Sequence, residues 1–383
     1  MTAGSAGAHP VVVAARRTPI GTSGRSLARV TAADLAAVPL AALRPLLDEH
    51  AVAVREVVLG NCMGPGGDVA RVAALAAGLP VSVPALTVDR QCASGLAAIA
   101  VAASSLRNEP GLLLAGGVES VSTAPWRMWP PVDGGEPQRY ERAPFAPTSD
   151  LDPDMGLAND LLAAERGLTR ERQDEYAAQS HARAAAAVAA GTYDAELVAV
   201  GDIVRDDRPR EGLTVERLAR LRPTFREGGT VTAGNSCGIS DGAAAVALVD
   251  ADTHARLGLP GLRVLAAATC AVDPRRPGIG LVPAVRQAVS AAGIGIDELD
   301  VIEINEAFAG QVLACCDELG IDPARVCPQG GALALGHPWG ASGAVLVVRL
   351  FTQLVLQDAG RYGLAAIAAG GGQGVALVVE RCP

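Results

Sequence analysis

The sequence contains no lysine: all 32 of its basic side chains are arginine, and alanine is unusually abundant. This pattern reads as a GC-rich coding bias and not as a functional signal. The formal net charge of −9 argues against general nucleic-acid binding, although a local arginine patch could still hold a small anion. No CxxC pair occurs among the eight cysteines, and their scatter is not that of a disulfide framework. Reduced thiols are therefore expected, and a zinc site is not. No apolar run reaches the ~18 residues needed to cross a bilayer, and the opening MTAGSAGAHP lacks the charged-then-apolar order of a signal peptide. A soluble, cytoplasmic protein with no membrane partner is the expectation. At ~100–200 residues per domain, 383 residues suggest two or three domains with material for a large core.

Short β-branched or apolar runs alternate with longer alanine-rich stretches: VVVAA at 11–15, a helical pattern near 32–48, EVVLG at 56–60, a helix near 93–107 and GLLLAGG at 111–117. This is the βαβ rhythm of an α/β protein whose strands are covered on both faces. From about Ser122 to Gly229 the chain is richer in Pro, Asp and Arg and reads as an inserted excursion, with a helical pattern at 169–190. The alternation then resumes from about 231 to the end. Two segments resemble each other: CASGLAAIAVAASSL before GLLLAGGVE at 92–119, and GASGAVLVVRLFTQL before GLAAIAAGGGQG at 340–374. A duplicated α/β half, with equivalent corners facing one shared site, explains the likeness better than chance in an Ala/Gly-rich chain.

Cys92 follows the strand-like TVDRQ and precedes an Ala-Ser-Gly helix start, where unpaired amides and the helix dipole are expected to favour thiolate. His337 lies in a glycine-rich loop before Pro338 and is the histidine best placed to pair with a nucleophile. His9, His50, His181 and His254 read as surface residues. Asn305 follows the apolar VIEI, where a helix cap is the simpler alternative to a catalytic role.

QCASG around Cys92, TVTAGNSCGISDGAAA at 230–245, NEAFA at 305–309, GGALALGHPWGASGA at 330–344 and GGGQGVALVVE at 370–380 together resemble the thiolase family, in its order and spacing. The likeness runs from RTPIG at 17–21 to the end. The resemblance implies a duplicated five-layered αβαβα fold. Its N-terminal half would span 1–121 plus 234–257, with a loop domain at 122–233 that binds coenzyme A and substrate, and a C-terminal half at 258–383. It implies a homodimer or homotetramer acting on acyl-CoA or acyl-carrier thioesters, with coenzyme A as substrate or product and neither a permanent cofactor nor a metal. Cys92 matches the nucleophile that becomes acylated, and His337 its activator. Asn305 matches the holder of an oxyanion-hole water. The backbone amides of Cys92 and Gly370 match a second oxyanion hole. Arg210 matches a position along the coenzyme A nucleotide, and Cys237 stands where the family has a serine near bound coenzyme A.

One departure concerns the chemistry. The family carries a second cysteine on the strand before the glycines, the acid/base for the acetyl α-carbon, and this chain has Ala368 there. A methyl group transfers no proton, and such groups supply ~10²–10⁴-fold in rate. Cys382 lies too far along the C-terminal strand to substitute. The implied reactions are therefore Claisen condensation or thiolysis of 3-ketoacyl-CoA without the usual base, a decarboxylating ketosynthase-like step, or acyl transfer to O, N or S. A non-catalytic acyl-CoA-binding scaffold is the remaining alternative. The segment VRDDRPREGLTVERLARLRPTFREGG holds seven arginines, and Trp126, Trp129 and Tyr140 are candidates for the acyl-pocket wall.

Overall fold

The computed structural model describes residues 9–383. The chain begins with β1 (Val11–Arg17), a short β2 (Gly21–Thr22), α1 (Ala32–Glu49), β3 (Val54–Gly60), α2 (Val69–Ala76), β4 (Ala85–Val88), α3 (Ser94–Leu106) and β5 (Leu112–Glu119). The excursion contributes a hairpin of β6 (Arg127–Trp129) and β7 (Gln138–Tyr140), then α4 (Met155–Glu165), α5 (Arg170–Ala189) and the single turn α6 (Val215–Leu218). Next come β8 (Ser240–Val249), α7 (Ala251–Leu257), β9 (Gly261–Ala271), α8 (Leu281–Ala292), β10 (Val301–Ile304) and α9 (Ala309–Leu319). The chain closes with α10 (Ala332–Leu335), α11 (Trp339–Leu350), β11 (Tyr362–Ala369) and β12 (Gln373–Cys382).

One sheet runs in the order β10, β11, β12, β9, β1, β8, β5, β3, β4, with β2 attached to β8. Its two wings meet at a narrow joint between β1 and β9, where Val11 faces Arg263 and Val12 faces Leu262. Outward from that joint the wings repeat one another. β8 and β5 are antiparallel and β5 and β3 parallel; β12 and β11 are antiparallel and β11 and β10 parallel. Helix α3 leads into β5 as α11 leads into β11, so the two similar sequence segments occupy equivalent places.

Three apolar clusters show how the layers stack. α1 and α2 cover the outer face of the first wing, α8 and α9 cover that of the second, and α3 with α11 fills the space between. Every residue of β8 is buried, as covering on both faces requires. Helix α11 continues into a π-helical turn at Phe351–Leu356, and Trp339–Leu356 is long and apolar enough to cross a membrane. This corrects the expectation that no segment reaches that length. Strands of both wings flank this helix, and 83% of it is buried inside the protein, which accounts for an apolar surface all round.

The two central helices touch backbone to backbone. A methyl group added at Gly95 of α3 would lie 2.7 Å from the Gly340 carbonyl oxygen and 2.9 Å from the Ala344 nitrogen. One added at Gly343 of α11 would lie 2.5 Å from the Leu96 nitrogen. Gly60 and Gly117 at the ends of β3 and β5 meet Ser94 and Gly340 just as closely. These glycines are selected by space and not by backbone angle. Alanine at residue 95 would gain up to ~1 kcal/mol of helix propensity, but forcing the helices apart costs about 1–3 kcal/mol or more. Thermal unfolding of Gly95→Ala is expected at a lower temperature than the parent; an equal or higher midpoint would show that the close approach is not required.

Candidate active site

Cys92 stands on a tight strand-to-helix turn. Between β4 and α3, Gln91 adopts a left-handed φ of 49°, a conformation that costs a non-glycine residue about 1–3 kcal/mol. Local bonds hold it there. Asp89 Oδ1 accepts from the Gln91 N–H at 2.8 Å, while Ser94 Oγ accepts from the Arg90 N–H and donates to the Gln91 carbonyl, both at 2.7 Å. Burial pushes the Cys92 thiol up to about 12, outweighing the opposite pull of the Gly370 and Cys92 amides. The helix start therefore does not yield a resting thiolate, contrary to the expectation from its position. Desolvation is the larger effect in this cleft.

Gly370 reaches the thiol from the β11–β12 hairpin. Gly371 and Gly372, at φ 75° and 72°, make the left-handed turn that glycine adopts freely and leave the Gly370 N–H pointing at Cys92. The space a Gly370 side chain would need is filled by Phe145, whose ring carbons lie 2.5 and 2.6 Å from an added Cβ.

His337 is supplied by the loop between α10 and α11, and its buried ring makes two polar contacts. Nδ1 lies 2.6 Å from Ser342 Oγ, and Nε2 lies 3.4 Å from Asn305 Nδ2. Ser342 Oγ donates its one proton to the Pro338 carbonyl at 3.0 Å, so it accepts from His337 Nδ1–H. This leaves the lone pair on Nε2. Burial alone drives the His337 pKa down to about 3, keeping the ring neutral. Asn305, just beyond β10, is anchored by its N–H to the Ala366 carbonyl at 2.9 Å. It does not cap α9, whose N-cap is Phe308.

Two buried carboxyls lock the parts together. Glu119 accepts from Asn61 Nδ2 and from the amides of Cys62, Met63 and Gly340, joining the first wing to the start of α11. Glu306 accepts from Tyr176, Ser180 and the Leu333 amide, tying α5 of the excursion to the Asn305 corner. The arrangement is a neutral thiol and a neutral imidazole base with backbone donors nearby. Such a set can form and discharge a thioester.

Family models for the N-terminal and C-terminal domains of thiolase match residues 10–252 and 260–381. The chain belongs to the thiolase family. It is 43% identical to an acetyl-CoA acetyltransferase of Pseudomonas aeruginosa, an alignment covering 97% of this chain and 99% of that one. It is 45% identical to a beta-ketoadipyl-CoA thiolase of the same organism, covering 95% and 97% respectively. The crystal structure of the Bacillus anthracis acetyl-CoA acetyltransferase superposes with a TM-score of 0.89 at 34% identity, covering 99% of this chain and 100% of that chain. This thiolase-family chain is therefore an acyltransferase.

Around the thiolase site, Arg210 is exposed and borders an open depression with Thr22, Arg25, Ser26, Asp207 and Arg208. Cys237 is held between the Asn305 and His337 corners: its N–H donates to Ala307 O, and the next residue's carbonyl accepts from the His337 N–H, each at 3.0 Å. Ala368 lies half-buried on β11 opposite Gly374. Cys382 is at the far end of β12 from the Gly370 turn. Trp126 and Trp129 are 77% and 49% exposed. They pack in the β6–β7 hairpin, Trp126 under Arg139 and Trp129 on Tyr140. Phe145, farther along the same stretch, is the aromatic that reaches Gly370. His181 is buried in α5 and not on the surface; burial, with the nearby Arg208 and Arg210 charges, lowers its pKa to about 4. Among the described residues, no cluster of three His, Cys, Asp or Glu side chains is placed to hold a metal ion.

A thiol near 12 and an imidazole near 3 keep one protonation state across the neutral range. Single-turnover acylation of Cys92 is accordingly expected to be flat between about pH 5 and 9, with no inflection at the ordinary histidine value of ~6.5. An inflection there would show that His337 is solvated and titrates normally.

Proposed function

We propose that the protein transfers acyl groups from coenzyme A thioesters through a covalent acyl–Cys92 intermediate, and in doing so forms or cleaves a carbon–carbon bond. The observation that carries this reading is the neutral His337 ring, whose Nδ1 is bonded to Ser342 so that Nε2 keeps its lone pair, together with the Gly370 amide turned onto the Cys92 thiol. The Cys92 S–H proton passes to Nε2 as the sulfur attacks the thioester carbonyl. The departing coenzyme A sulfur then takes that proton from the imidazolium. Negative charge on the carbonyl oxygen is met by the Cys92 and Gly370 amides, and in the second half-reaction by a water on Asn305 with His337. Each such donor is worth ~10²–10³ in rate. The names of the relatives, acetyl-CoA acetyltransferase and beta-ketoadipyl-CoA thiolase, support a coenzyme A thioester as substrate. Arg210 is assigned to the coenzyme A nucleotide, because guanidinium stacks on adenine and pairs with phosphate.

Ala368 favours a second reading of the carbon–carbon step. With no proton-transfer group at that position, a malonyl-type donor whose decarboxylation creates the carbanion would bypass proton abstraction. Intact-protein mass spectrometry with acyl-CoAs tests the main reading. One acyl group per chain is expected on the parent and none on Cys92→Ala; a parent chain that stays unacylated with every acyl-CoA would overturn it. Turnover with malonyl-CoA but not with acetyl-CoA would favour the second reading.

A further inference from the structure

We propose that Cys237 is the thiol that moves the substrate α-carbon proton in this site, in the absence of any such group at Ala368; the inference rests on the acyl-transfer reading above. The eight cysteines are not equivalent. Cys315, Cys316, Cys327 and Cys382 are buried, and of the four that reach the surface Cys62 donates to the Gln91 carbonyl and Cys270 to Gln287 Oε1, both at 3.0 Å. Among the described residues, only Cys92 and Cys237 combine partial exposure with a thiol that donates no hydrogen bond. One of these is the nucleophile. The other belongs to the same site.

Its position is fixed from both sides. The 236–239 segment pairs with the two corners that carry the candidate catalytic side chains, Ser236 bridging to Phe308 and Ile239 to His337. The Cys237 amide is spent on Ala307, so the backbone cannot rotate the thiol away without breaking that bond. Burial holds this thiol up to about 12; charge on Cys92 pushes the same way, and the Arg208 guanidinium pulls it down. Arg208 packs directly on Gly238, where an added Cβ would overlap its guanidinium. It is the cation that would steady a transient thiolate on Cys237. The other proton carriers near Cys92 are occupied. Glu119 is taken by four donors, and His337 Nε2 already receives the Cys92 proton.

The protons balance in the cleavage direction. Cys92 Sγ attacks the 3-keto carbonyl and its proton goes to His337. The C2–C3 bond breaks, its electron pair stays on C2, and Cys237 S–H protonates C2 to release the shortened thioester. His337 Nε2 then returns its proton to the Cys237 thiolate, incoming coenzyme A gives its own proton to the freed Nε2 and attacks acyl–Cys92, and the Cys92 sulfur recovers that proton from the imidazolium. Condensation is the reverse, with Cys237 thiolate removing the α-proton.

The test is exchange of the acetyl-CoA methyl protons in deuterated water, followed by mass spectrometry in the parent and in Cys92→Ser, which needs no acyl-enzyme. Both chains are expected to incorporate deuterium. Adding Cys237→Ser should slow exchange by about 10²-fold, the low end of general acid–base catalysis. Placing Ala368→Cys in the Cys237→Ser chain should restore at least a tenth of the parental rate, showing that the chain is folded and lacked only a base. Exchange at the parental rate in Cys237→Ser would overturn the assignment, as would a parent that exchanges no faster than buffer. Exchange that survives in a parent whose Cys92 takes up no acyl group would support Cys237 while counting against the acyl-enzyme reading.

Discussion

The close approach of α3 and α11 is the constraint on which the remaining geometry depends. A helix pair separated by ordinary side chains has axes 8–10 Å apart; here Gly95 and Gly343 remove the intervening Cβ atoms, and backbone packs on backbone. Cys92 lies three residues before Gly95, and His337 lies three residues before Gly340, which Gly95 faces. One contact therefore registers both ends of the pair. Glu119 adds a second fixing point by accepting from Gly340 and from the 61–63 loop, and burial raises its pKa to about 7 against the pull of those amides. Because the helices come from the two similar halves of the chain, the duplication builds the cleft.

Desolvation governs the electrostatics that follow. Amide donors and a helix start both favour a thiolate, yet Cys92 remains a thiol because its cleft takes the charge out of water. The same burial keeps His337 neutral, and the bond to Ser342 leaves its lone pair on Nε2. A neutral pair creates its charges only as reaction proceeds. In the proposed acyl transfer, the Cys92 and Gly370 amides would then contribute where charge develops on the carbonyl oxygen.

Much of this was legible in the sequence because it is local. A cysteine before an Ala-Ser-Gly helix start, an Asn after an apolar strand and glycines at a hairpin are short patterns, and the structure brings Gly370 to Cys92 and Asn305 to His337. What was missed depends on distant partners. Ser342 fixes the His337 tautomer through a bond only five residues away, but GASG reads first as helix-packing sequence. Phe145 reaches Gly370 from the excursion, in a stretch whose tryptophans drew attention by size although they point to solvent. His181 sits on an otherwise polar helix, and its burial comes from where α5 docks. The Cys92 thiol departs from the helix-start expectation because a sequence reveals a helix dipole and not the depth of a cleft.

In the proposed chemistry Ala368 supplies no proton carrier, and acylation at Cys92 and proton movement at the α-carbon fall to separate thiols. The central claim is the acylation geometry. A crystal structure of the chain trapped as an acyl-enzyme tests it most directly. The expected result is an acyl group on Cys92 Sγ with its carbonyl oxygen about 2.7–3.1 Å from both the Cys92 and Gly370 nitrogens. An acyl group on another residue, or a carbonyl oxygen turned away from both amides, would contradict it.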